Sequence, residues 1–469
     1  MSRALTASLL ATSLVTSLAG CPDRSVAKLE PDPTGAQTKT IPVSADIDIL
    51  FVIDNSASTL DKQTVFAANF PRFVQALDAF PTGRPNVHVG VITTTVDIGV
   101  QIGGDTACHP ASGDDGRLQA TPRVAGCAPP SDAFISDVAV DAGTRRVNYP
   151  GGDLAATLSC IAQVGTKGCG FESPLEAIKR ALDGRHPENA GFLRPGAFLA
   201  VVVLTDEDDC SARDPALFTL PADQAGPGDF RCQPLYAYTC DQPIAKDAPG
   251  DYTNCAVRTD SYLRDPAEYF QFLSTVKDPS RLVVALIGGD PKTSLSTGPI
   301  TQPFAQDLAL EPSCSATIGG HFAIGRPALR LGDFVDRFGD HGLFRTVCQA
   351  DYSQALGDIG TLLFQAVSPC LDGSLDVTDR QPANPGLQPD CAVTEVVGLD
   401  TPDETQAVLP ACAMTDDHTP APAGARPCWW VAPDAAACAT ATTLALHVER
   451  SEPPAPGTNV RVSCATTGD

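Results

Sequence analysis

The chain has 469 residues, 43% of them hydrophobic, 17 cysteines and a formal charge of −24 at pH 7. That apolar content excludes a globally disordered chain, and the charge argues against nucleic acid, which needs clustered Lys and Arg. The length has room for roughly two to four domains.

Residues 1–20 carry Arg3 near the start, a short apolar run, and small residues just before Cys21. The run is too short to span a bilayer, which takes about 20 residues, and has the shape of a secretory signal. Its ending, "LAGC" at 18–21, resembles the lipobox of bacterial lipoproteins. The resemblance implies cleavage before Cys21, diacylation of its sulfur, and membrane attachment at the cell envelope by that lipid alone. The alternative is an ordinary signal peptide followed by an unrelated cysteine. Residues 21–43 read as a lipidated tether, polar and proline-bearing, with a reach of about 25 Å as a flexible coil.

From residue 44 strand-like and helix-like stretches alternate. "ADIDILFVID" (45–54), "NVHVGVITTT" (86–95), "AFLAVVVLTD" (197–206) and "RLVVALIGG" (281–289) are short β-branched apolar runs, hence buried strands. "TVFAANFPRFVQALDAF" (64–80) has helical spacing, with Pro71 as a kink or an early boundary. "SPLEAIKRAL" (173–182), "PAEYFQFLSTVK" (266–277) and "SQALGDIGTLLFQAV" (353–367) are further helices. The alternation predicts an α/β fold, a doubly wound, mainly parallel sheet covered on both faces.

Two long segments, 97–157 and 207–265, break the rhythm and read as cysteine-stapled insertions. The second holds Phe230, Tyr236 and Tyr238 among polar residues, which suits either an exposed interface or local packing. Residues 369–469 are turn-rich, with alternating runs such as "TTLALHVER" (442–450) and "TNVRVSC" (458–464), and read as a small β module. Setting Cys21 aside, ten cysteines lie in 108–348 and six in 370–464. Both subsets are even, so each can close its own disulfides, and an oxidising compartment follows.

Asp54, Ser56 and Ser58 follow the first strand at i, i+2 and i+4, so in an extended loop their oxygens point one way. Oxygen-only sets suit hard cations such as Mg²⁺. Neutral hydroxyls would leave such an ion receptive to an external acid. Asp206 ends a second strand, and on neighbouring strands it would face the same cleft, where α/β sheets bind ligands. The alternative is that "DNSAS" only caps a helix, with Ser56 or Ser58 at its N-cap.

Here the chain resembles the von Willebrand factor A (vWA) domain, whose first strand ends in DxSxS and whose fourth ends in an aspartate. The resemblance covers 44–368 and implies a metal-ion-dependent adhesion site holding a divalent cation, Mg²⁺ or otherwise Ca²⁺ or Mn²⁺. It implies a protein or glycan partner for that site. The family's third loop supplies a threonine; counting back from Ala177 puts Glu172 there, with Thr166 too far upstream. Glu207 stands where the family has glycine after the aspartate. The metal set is therefore Asp54, Ser56, Ser58, Glu172 and Asp206. The reading is a binding protein and not an enzyme: HExxH, GxSxG and P-loop signatures are missing, and His88, His109 and His321 stand singly. A structural module with a purely stabilising ion, or a metal-dependent hydrolase, are the alternatives.

Overall fold

The computed structural model describes residues 36–466, apart from short stretches at 44, 81–82, 103–106, 110–113, 142, 228–230, 303–304, 372–374, 378–384, 436, 439, 441, 453 and 456. The signal segment, Cys21 and the first part of the expected tether lie outside the described residues. The last part of that stretch is not free coil. Ala36–Pro42 is a strand (β1) and pairs antiparallel with the last strand of the chain.

The main sheet has seven strands: β2 (Asp46–Ile53), β3 (Asn86–Thr93), β4 (Ile135–Asp141), β5 (Thr144–Val147), β6 (Phe198–Leu204), β7 (Leu282–Gly288) and β8 (Gly342–Thr346). Their order across the sheet is β8-β7-β6-β2-β3-β4-β5. The five strands from β8 to β3 are parallel, and β4 and β5 are added antiparallel at one edge. The sheet therefore takes in residues 135–147 of the first supposed insertion. Gly and Asp around "ISDVAVD" hide a strand, one in from the edge, that is only partly buried.

Seven helices are central: α1 (Leu60–Ala68), α2 (Phe70–Asp78), α3 (Leu154–Ile161), α4 (Pro174–Leu182), α5 (Pro266–Val276), α6 (Leu329–Asp336) and α7 (Ser353–Val367). Pro71 marks a boundary, since α1 ends at Ala68 with Asn69 as its C-cap and α2 begins with the proline in its first turn, where its missing N–H costs nothing. The alternating side chains of the parallel strands feed two cores. On one face Phe51 packs edge-to-face against Phe66, Phe70 and Phe73 at 5.9, 5.3 and 5.6 Å, under α1, α2, α3 and α7. On the other, Leu50, Val52, Val201 and Val203 pack beneath α4, α5 and α6.

The cysteine-rich segments build a third core of their own. Ile98, Cys108, Cys169, Leu217, Phe218, Tyr238, Leu263, Leu295 and Leu310 share it. Cys108–Cys169, Cys127–Cys160, Cys210–Cys232, Cys240–Cys255 and Cys314–Cys348 staple the segment up to 348. Cys370–Cys438, Cys391–Cys464 and Cys412–Cys428 staple the remainder, so both even subsets close internally. Tyr238 is buried and Tyr236 packs edge-to-face on Tyr262, so the aromatics serve packing, and Phe230 lies outside the described residues.

The C-terminal unit holds the sheet of β1, β9 (Cys391–Val397), β10 (Thr405–Val408) and β11 (Thr458–Ala465), beside a smaller sheet with Cys428–Pro433 and Leu444–Glu449. It docks at the amino ends of the parallel strands. Asp400 reaches Arg281 at 2.5 Å and Lys277 at 3.8 Å, just ahead of β7. Among the described residues no helix is long and apolar enough to cross a membrane.

Candidate metal centre

β2 and β6 are hydrogen-bonded neighbours with Ile53 opposite Leu204, and one more bond runs from Asp54 N to the Leu204 carbonyl at 2.9 Å. The two strand ends therefore release Asp54 and Asp206 side by side, where strand order places a crevice. Ser56 N donates to Asp54 Oδ1 at 2.8 Å, a turn that folds the loop back on itself. The hydroxyls of Ser56 and Ser58 come to 3.2 Å, and Ser58 Oγ donates to Asp206 Oδ1 at 3.1 Å. Neither serine caps a helix: Thr59 holds the N-cap position of α1 and its hydroxyl bonds the carbonyls of Asp54 and Ser56.

The loop carrying Glu172 is drawn against this turn. Gly168 N donates to the Asn55 carbonyl at 2.7 Å, and a Cβ on Gly168 would sit 2.2 Å from Asn55 Oδ1. Only glycine permits that approach. Gln63 clamps the same loop, bonding the carbonyls of Asp54 and Gly165 at 2.7 Å each. Glu172 itself is buried. Burial first, then the charges of Glu207, Asp54 and Asp206, hold its carboxyl well above the usual range. Burial, with Asp206 beside it, likewise pushes Asp54 up to about 6, against bonds from Ser56 N and the Thr205 hydroxyl.

Of the expected residues, Asp54, Ser56, Ser58 and Asp206 meet in direct contact, and Glu172 lies within their electrostatic reach. Sequence reasoning missed Lys62, Gln63 and Thr205. Lys62 Nζ donates to Asp206 Oδ2 at 2.6 Å and to the Ser58 carbonyl at 3.1 Å. Its signal was its place four residues after Ser58, one helical turn along α1.

The donor set suits a hard cation by its chemistry. Among the described residues no three His, Cys, Asp or Glu side chains could hold a metal by themselves. The serine hydroxyls are needed, giving the oxygen-only mixture that Mg²⁺ or Ca²⁺ takes. Buried negative charge also exceeds its compensation. Glu207 pairs with Arg326 at 3.2 Å, while among the described residues Lys62 is the one ammonium set against Asp54, Glu172 and Asp206. Asp54 and Glu172 are left without a cationic partner among the described residues. Ser58 and its neighbour Ala57 are exposed, so the cluster opens to solvent there.

No family model matches the chain, and no curated protein matches it. Among solved structures it is similar to the open conformation of the pilus adhesin SpaC from Lactobacillus rhamnosus GG, at 10% identity and a TM-score of 0.32, over 93% of this chain and 41% of that one. A von Willebrand factor type A protein from Catenulispora acidiphila gives 11% and 0.26, over 93% and 66%. The pilus adhesin RrgA from Streptococcus pneumoniae gives 9% and 0.21, over 93% and 60%. The chain thus spans less than two thirds of each neighbour, and all three scores lie below the level at which a common fold can be read.

Proposed function

We propose that this chain is an exported binding protein of the vWA type, with a doubly wound α/β unit that presents a divalent cation to a protein or glycan partner. Ser56 and Ser58 would hold the ion, with Asp54, Asp206 and Glu172 around it. When bound, the ion supplies a Lewis-acidic point for an oxygen of the partner. The observation that carries the reading is the convergence of Asp54, Ser56, Ser58 and Asp206 at the carboxyl ends of two adjacent parallel strands, with uncompensated negative charge behind an exposed serine. Eight disulfides support an oxidising location. Attachment through a lipid on Cys21 belongs to the same proposal and rests on the "LAGC" resemblance alone.

Residues 22–469, made with their disulfides and stripped with chelator, test it. Added Mg²⁺, Mn²⁺ or Ca²⁺ raises the melting temperature of the parent saturably and leaves Asp54→Ala unmoved. A parent indifferent to all three ions overturns the reading. A preference for Ca²⁺ over Mg²⁺ would trace to the extra carboxylate of Glu172, since Ca²⁺ accepts more oxygen ligands.

A further inference from the structure

Lys62 does something unusual for a lysine on a surface helix. It lies on α1 one turn beyond the exposed Ser58, yet it is only 2% exposed and its chain runs back into the cleft. Its ammonium bonds Asp206 Oδ2 at 2.6 Å and the Ser58 carbonyl at 3.1 Å. Both oxygens of Asp206 are thereby engaged, Oδ1 by the Ser58 hydroxyl and Oδ2 by Lys62. A buried pair of opposite charges is held by the two partners together, and removing either leaves the other uncompensated.

We infer that Lys62 is a tethered cation that competes with the divalent ion for Asp206 and so sets which ions the cleft accepts. The inference rests on the proposed metal centre. A divalent ion reaching Ser56 and Ser58 brings two positive charges close to Nζ, so the ammonium must yield Asp206 Oδ2 or bear the repulsion. A monovalent ion offers Asp206 no more charge than the ammonium already gives, and it must first break a buried pair. Only an ion of higher charge, which also answers Asp54 and Glu172, gains by entering. Lys62 therefore lowers divalent affinity, excludes Na⁺ and K⁺, and keeps the metal-free cleft folded by offsetting one of its three carboxylates.

Lys62→Met keeps the length of the side chain and removes its charge. The disulfide-bonded chain and this variant are titrated with Mg²⁺, Mn²⁺, Na⁺ and K⁺ by calorimetry, with melting followed in chelator. The variant binds Mg²⁺ about tenfold or more tightly than the parent, since no ion pair has to be given up. In chelator it melts lower than the parent, and Na⁺ now stabilises it. Lys62→Gln, which keeps a donor for the Ser58 carbonyl, repeats the affinity measurement should the methionine variant fold poorly. If the parent binds metal and both variants bind it equally or more weakly, Lys62 is not a competitor and this inference alone falls. If the parent and both variants ignore every ion, the metal centre falls with it.

Discussion

Among the described residues, Asp54, Glu172 and Asp206 are buried at the carboxyl ends of β2 and β6 around the ammonium of Lys62; at the amino ends of the same sheet Arg194, Arg281 and Lys277 each face a carboxylate, Asp400 serving the last two. There Asp48 accepts from Arg194 Nε at 2.7 Å, and Asp400, brought by the C-terminal unit, meets Arg281 at 2.5 Å. The first end is open at Ser58, while the second is covered by a docked unit. Covering an end of a sheet requires an opposite charge beside each buried one, because little water remains to solvate it. Keeping one end unbalanced is affordable only where solvent or a bound cation can complete it.

The largest expected effect breaks the balanced end. Asp400→Ala strands the buried guanidinium of Arg281, whose Nε and Nη1 already lack partners, and costs about 3 kcal/mol in chemical denaturation. The variant's response to Mg²⁺ stays that of the parent; a loss well under 1 kcal/mol would mean that charge does not hold the docked unit.

Acidity sharpens the contrast from the other side. The Asp54 carboxyl titrates near 6 in the folded protein and near 3.8 unfolded. Between those values the folded state keeps a proton the unfolded state has released, so stability falls as pH rises and the loss is complete once pH passes about 6. The contribution is on the order of 2–3 kcal/mol. Burial pushes Asp48 and Asp208 up to about 6 as well, with the same sign. The measurement is therefore a difference: in chelator, Asp54→Asn melts with a shallower pH dependence than the parent. Saturating Mg²⁺, which excludes the proton from Asp54, abolishes that difference.

Gly168→Ala forces a methyl group into Asn55, whose Oδ1 is held by the Thr95 hydroxyl at 2.8 Å. A cost of about 2 kcal/mol is expected, with weaker metal binding because the Glu172 loop is pushed away. The smallest effect has the opposite sign. Glu172→Gln removes an unpaired buried carboxylate and should stabilise the chelated protein at pH 7.5 by about 1 kcal/mol, while lowering the gain from Mg²⁺. A destabilised chelated variant would show that Glu172 is already compensated.

Much of the frame was legible because it is local. The apolar runs over Asp46–Ile53, Phe198–Leu204 and Leu282–Gly288 end within a residue or two of where their composition changes, and Pro71 punctuates α1 and α2 as a fixed φ demands. Asp54 and Asp206 are placed by the two strand ends, whereas Ser56 and Ser58 join them through a turn and not through the extended loop that period two assumed. What stayed hidden depends on partners far along the chain. "AQTKTIP" reads as linker until β11 is beside it, and α6 carries Gly332 in its middle, which weakens its helical signal. Lys62 and Gln63 lie ahead of the helix predicted from Thr64, in the first turn of α1, which that prediction leaves out. The carboxylates of the site were therefore expected, and its internal counter-ion was not.

The pairing of β1 with β11 also dictates an order of events. Thr38 and Ser463 share a hydrogen bond across a separation of 425 residues. The earlier strand must wait, unpaired, until its mate has emerged, and the parallel sheet between them can assemble in that interval. Closure of so long a loop is slow, and an unmated strand is a hazard for association between chains. The lysine and the proline of "AQTKTIP" are the residues that discourage such pairing, and they guard this strand while the rest of the protein is being made.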